Sequence, residues 1–99
     1  MLIDIRIYQC KPGMREEFFE LYKKYGWNPQ TRILGEPYSF VKSIEEPNEF
    51  ILMWSYEDLA DREQKRKQMW EDSEWQVYVT HSKALGAIAS QYNKLVETV

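Results

Sequence analysis

FILMWSY, Phe50 to Tyr56, sets apolar side chains at five consecutive positions before a serine interrupts them. The run is short and rich in aromatic and β-branched residues, which reads as a strand. A half-exposed strand alternates apolar with polar, whereas this one is apolar on both sides, so both of its faces must be covered. Just upstream, EEPN (Glu45 to Asn48) is a turn signal, and Tyr38 to Ile44 reads as another strand. A short turn between two strands implies an antiparallel hairpin.

Working outward, LIDIRIYQC (Leu2 to Cys10) alternates, with Ile3, Ile5 and Ile7 facing one way and Asp4, Arg6 and Tyr8 the other. That period of two is a strand. KPG (Lys11 to Gly13) turns the chain. Met14, Phe18, Leu21, Tyr22 and Tyr25 then recur at helical spacing, with Gly26 placed as a C-terminal cap. WNPQTRILG (Trp27 to Gly35) reads as a loop or a short irregular helix. Beyond the central hairpin, LADREQKRKQMW (Leu59 to Trp70) is a helix capped by Asp58 and favoured by Asp61 in its first turn. Ser73 is placed as the N-cap of a further helix with the stripe Trp75, Tyr78, Val79, Ser82 and Leu85. Gly86 ends it, and Ile88 to Val96 closes as a strand.

The order strand, helix, strand, strand, helix in two pieces, strand predicts an α+β fold. It is a ferredoxin-like βαββαβ unit with a four-stranded antiparallel sheet, in a single domain over residues 1–99. One helical layer covers one side of such a sheet. The apolar second side of Phe50–Tyr56 therefore asks for a second copy related by a two-fold axis, a homodimer with its sheets face to face.

Composition narrows the function classes. The 99 residues carry 15% aromatics and a net charge of −3 with acids and bases interspersed. That balance argues against a nucleic-acid surface and against a polybasic membrane patch. A single cysteine, Cys10, excludes an internal disulfide and fits a reducing compartment. Without a signal-peptide pattern or an apolar run of about 18 residues, no transmembrane segment is expected and the expected location is cytoplasmic. His81 is the only histidine, so no metal site is expected, and no glycine pattern cradles phosphate, so no cofactor is either.

The helix from Leu59 raises the functional question. Leu59, Met69 and Trp70 fall on one side, yet Arg62 and Arg66 lie between them, with Glu63 beside. A guanidinium turned toward a core loses hydration and must meet an anion. Three readings stand open. Asp4, Glu63, Glu16 or Glu17 supplies an internal ion pair; or Arg6, Arg62 and Arg66 with Tyr8 line a cavity that takes a ligand's carboxylate or phosphate; or the long stems carry the charges past the core to water. Arg6, Tyr8, Trp54, Arg62 and Arg66 form the candidate ligand-binding set.

Four motifs together resemble the NIPSNAP family over essentially the whole chain. They are I-x-I-R-x-Y with K-P-G (Ile3, Ile5, Arg6, Tyr8, Lys11 to Gly13), W-x-Y-x-x-L-A-D-R-E-x-x-R (Trp54 to Arg66), D-x-E-W (Asp72 to Trp75) and Q-x-N (Gln91, Asn93). Ser73 stands where that family often has proline. The resemblance implies a dimeric α+β barrel, and its eukaryotic members are associated with mitochondria and with protein partners. More distant barrels of this kind include cofactor-independent monooxygenases, haem-degrading enzymes and small isomerases that use the helix–sheet cavity. The expectation is a homodimeric domain binding a small anionic organic molecule in that cavity. The alternatives are an enzyme of monooxygenase-like or isomerase-like type, with Arg6 and Arg66 as electrostatic stabilisers and Tyr8 as proton donor or acceptor, or a protein-docking module.

Overall fold

The computed structural model describes residues 1–99 and runs β1 (Leu2–Cys10), α1 (Arg15–Leu21), a π-helical turn (Tyr22–Gly26), α2 (Trp27–Leu34), β2 (Ser39–Lys42), β3 (Glu49–Tyr56), α3 (Leu59–Glu71), α4 (Ser73–Leu85) and β4 (Ile88–Glu97). The strands form one antiparallel sheet in the order β2-β3-β1-β4. This is the α+β, ferredoxin-like arrangement expected from the order of elements.

Register decides what faces the helices. Asp4 lies opposite Trp54, Arg6 opposite Leu52 and Tyr8 opposite Phe50. Directly opposed residues share a face. Leu2, Phe50, Leu52, Trp54 and Tyr56 join Phe18, Tyr22, Met69, Trp75 and Tyr78 in the core cluster, so this is the helix-covered face. β1 thus turns its polar side, Asp4, Arg6 and Tyr8, toward the helices. Its isoleucines Ile3, Ile5 and Ile7 point to the opposite face and take no part in the core cluster. Along β3 the pattern matches: Phe50, Leu52, Trp54 and Tyr56 are buried, while Ile51 and Met53 on the other side are only half-buried.

Two sequence expectations give way. Gly26 does not end the first helix; the chain stays helical from Arg15 to Leu34. The backbone widens into a π-turn in which the Trp27 N–H reaches back to the Tyr22 carbonyl. Pro29 then falls in the first turn of α2, where a missing N–H is tolerated. Gly26 is there for space: a Cβ on it would lie 2.7 Å from the Tyr22 ring and 2.8 Å from the Tyr78 ring. The residue that does stop the helix is Gly35, at φ +87°. Asp72, not Ser73, caps α4, its carboxylate accepting from the Trp75 N–H at 3.0 Å. Asp58 caps α3 as expected, accepting from the Asp61 N–H.

The apolar stripe drawn on α3 is also revised. Leu59 and Trp70 are 55% and 47% exposed. The inward face is Arg62, Arg66 and Met69, one helical stripe at spacings of four and three. Leu59 sits at the helix start beside Met1 and Leu2, and Trp70 leans edge-on against Trp75. The helix therefore docks through two guanidinium stems and one methionine.

Candidate functional site

The arginines meet one carboxylate. Asp4 is fully buried, and its Oδ2 accepts from Arg6 Nε and Nη2, both at 3.3 Å, and from Arg62 Nε at 3.0 Å. Of the partners considered from sequence, Glu63 is exposed, and Glu16 pairs instead with Arg15 and Lys42. Asp4 is thus shared between strand and helix, tying β1 to α3. Its other oxygen, Oδ1, is buried with no hydrogen-bond partner, as is Trp54 Nε1 opposite it on β3.

Arg66 is left over. It makes no ion pair. Burial, and after it the like charge of Arg6, draw its pKa below the usual arginine range, the Tyr56 phenol opposing them in part. Three guanidinium groups around a single carboxylate leave this layer electropositive, a surplus that is expensive in a poorly hydrated setting.

Arg66 and Arg6 open onto a cavity of about 290 Å³ between sheet and helices. The sheet contributes Arg6, Tyr8, Phe50 and Leu52 to its wall; the helices contribute Phe18, Tyr22, Gln30, Arg66, Met69, Trp75 and Tyr78. Trp70, Lys83 and Gln91, all exposed, stand on its open side. Tyr8 stacks on Phe50 with ring centroids 4.6 Å apart, and Trp75 packs against Tyr78 at the same distance. The Tyr22 hydroxyl donates to Gln30 Oε1 at 2.5 Å, fixing that amide on the wall. No aspartate, glutamate, histidine or cysteine lines the cavity, and its charged side chains, Arg6, Arg66 and Lys83, are all cationic.

Of the residues singled out from sequence, Arg6, Tyr8 and Arg66 come together on this wall. Arg62 does not line it, being turned to Asp4, and Trp54, with no exposure at all, lies in the core behind it. Trp75, Tyr78, Lys83, Gln30 and Gln91 line it without having been chosen. Trp75 and Tyr78 read from sequence as ordinary core. Lys83 lies four residues after Val79 on the same helix face, and that spacing was a usable signal. Gln30 fell in the segment left between loop and helix.

Chemically, the cavity can hold and orient an anion and stabilise negative charge. Burial pushes the phenols of Tyr22 and Tyr78 well up, away from proton transfer near neutrality. His81 is stacked on Tyr25 at 3.9 Å and belongs to the surface of α4. No group of three or more metal-ligating side chains is positioned to hold an ion, and no helix is long and apolar enough to cross a membrane.

The comparisons with known proteins bear on the fold and the family. No curated protein matches the chain significantly. Among solved structures, it is similar to a NIPSNAP family protein with unknown function from Agrobacterium tumefaciens, at 26% identity and TM-score 0.90, over 100% of this chain and 88% of the other. An uncharacterized NIPSNAP-like domain protein from Burkholderia xenovorans shares 27% identity at TM-score 0.88, over 99% and 84% of the two chains. A putative antibiotic biosynthesis monooxygenase from Nitrosomonas europaea shares the fold at TM-score 0.71 but only 15% identity, over 100% and 99%. The NIPSNAP family model matches residues 3–99, nearly the entire chain. With the sheet, the arginine-bearing α3 and the neighbours in accord, the chain belongs to the NIPSNAP family.

Proposed function

We propose that this NIPSNAP domain is a homodimeric binding module for a small organic anion, held in the cavity between helices and sheet. The observation that carries the reading is the charge of the wall. Arg6, Arg66 and Lys83 line it with no acid among them, and the one buried carboxylate, Asp4, is already shared by Arg6 and Arg62. Arg66 is a guanidinium without an anion, and a carboxylate or phosphate of a ligand answers it with paired, planar hydrogen bonds.

The apolar outer face of the sheet supports the dimer. Ile5, Ile7, Ile51 and Met53 are half-buried there and Val41 and Tyr92 are exposed, a contiguous apolar face of the kind that marks an interaction surface. Light scattering at micromolar concentration should return about twice the 12.0 kDa chain mass. A monomer there overturns the dimer.

For the ligand, a thermal-shift panel of small carboxylates and phosphates should include several that raise the melting temperature, because binding only the native state stabilises it by mass action. A flat response across the panel would mean that no anion site exists. The enzymatic alternative places Arg6 and Arg66 as stabilisers of developing charge and Tyr8 as the proton carrier. The fold shared with the monooxygenase favours it, but the cavity wall offers no general base near neutral pH.

A further inference from the structure

An anion alone does not account for the rest of the wall. Aromatic rings line the same cavity as the two guanidinium groups. On the sheet side Tyr8 and Phe50 lie nearly parallel, 10° apart, and Phe50 continues onto Phe18 at 5.2 Å and 22°. On α4 the Trp75 and Tyr78 rings form a second tilted wall. Both walls line the same cavity as Arg6 and Arg66. Phe50 is held between Tyr8 and Phe18, so the half-buried Tyr8 ring ends that stack on the cavity side, and a flat partner gains both burial and stacking between it and the Trp75–Tyr78 pair.

We infer that the ligand is a flat, unsaturated carboxylic acid, with its carboxylate forked on Arg66 and Arg6 and its conjugated body between the Tyr8–Phe50 wall and the Trp75–Tyr78 wall. The inference rests on the anion-binding reading above and narrows it to a chemical class. A carboxylate conjugated to a ring is coplanar with it, so one plane serves both the guanidinium fork and the stacking faces. A free phosphate lacks that match. The Trp75 N–H in the first turn of α4, one donor a phosphate would use, is already bonded to Asp72. Size fits the class. A cavity of about 290 Å³ equals on the order of ten water volumes, room for one or two fused rings. Two of the wall's rings, Tyr22 and Tyr78, pack directly over Gly26, where a Cβ would lie 2.7 and 2.8 Å from them.

The test uses the unmodified full chain and isothermal titration calorimetry at pH 7 with four probes. They are 2-naphthoate, the uncharged 2-naphthalenemethanol, propionate and inorganic phosphate. The expected result is that 2-naphthoate binds at least tenfold tighter than each of the other three. Arg66→Met should bring naphthoate down to the level of the uncharged alcohol while leaving the alcohol's affinity in place. If propionate or phosphate binds as tightly as naphthoate, the ring contributes nothing and the inference falls, while the anion site stands. If the alcohol matches naphthoate on the unmodified chain, the acid contributes nothing and both readings fall. Absence of binding by all four, with a flat carboxylate and phosphate panel, removes the anion site altogether. The comparison among probes on the parent protein carries the test even where the variant is poorly folded.

Discussion

Replacing Asp4 by asparagine keeps the shape of the side chain and removes the only negative charge buried among three guanidinium groups. Arg6 then has 10% of its side chain exposed and Arg62 21%, with no counter-charge for either. Breaking a buried pair by removing one partner costs about 3–5 kcal/mol. The geometry argues for the lower end of that range. Both Arg6 contacts are 3.3 Å, longer than a strong charge-assisted bond, and Arg62 has enough exposure to swing its head toward water. We therefore expect Asp4→Asn to lose about 3 kcal/mol, a large share of the roughly 5–15 kcal/mol typical of a small domain. In urea, with a slope near ~1.5 kcal/mol/M, the midpoint should fall by about 2 M without a change in slope. Unfolding followed by tryptophan fluorescence reads this directly, since Trp54 lies opposite Asp4 in the sheet. A loss below about 1 kcal/mol would show that the arginines reach water without Asp4, and that Asp4 does not tie β1 to α3.

Arg66→Met should behave in the opposite way. It removes a desolvated charge that has no acidic partner, only the Tyr56 phenol beside it, and keeps the stem, so ligand-free stability should hold or rise in the same urea assay; a loss near 3 kcal/mol would reveal a hidden ion pair. Gly26→Ala gains up to about 1 kcal/mol of helix propensity but drives a Cβ to 2.7 Å from the Tyr22 ring, and overpacking of about 1–3 kcal/mol should win, lowering the midpoint. Asp72 carries a carboxyl held below its ordinary range by Arg32 and by the Trp75 N–H. A folded pKa below the unfolded one gives stability that is present above the ordinary carboxylate range and lost as pH falls through the folded value. Denaturation midpoints of parent and Asp72→Asn should therefore differ at pH 7 and converge in acid below about pH 4; a gap that persists there points to the cap alone.

Periodicity carried most of the fold. The period of two from Leu2, the continuous apolar run from Phe50 and the 3.6-residue stripe from Trp75 were legible, and so was the second apolar face of β3. What was not legible has a common cause: residues with two physical uses. Gly26 and Pro29 look like a helix end because glycine and proline end most helices, but here one makes room for two tyrosine rings and the other sits where an N–H is dispensable. On α3, apolar Leu59 and Trp70 look inward by composition, whereas docking is decided by which stems reach Asp4 and the cavity. At the site, Arg6, Tyr8 and Arg66 were visible because charges on a buried face are conspicuous. Trp75 and Tyr78 were not, since an aromatic that lines a void and one that fills a core share the same spacing.

The pairing of β1 with β4 sets an order of assembly. Leu2 stands opposite Glu97 and Tyr8 opposite Gln91, so the central strand acquires one of its neighbours from residues some ninety positions away. Contacts that distant are slow to form, because the loop must close before they return any free energy. Until β4 docks, β1 is a bare edge, and Ile88 and Gln91 are missing from the cavity wall. The cavity is therefore completed only when the two ends of the chain meet. A chain with its first two helices and the β2–β3 hairpin in place would have a partly built core and an unfinished cavity wall.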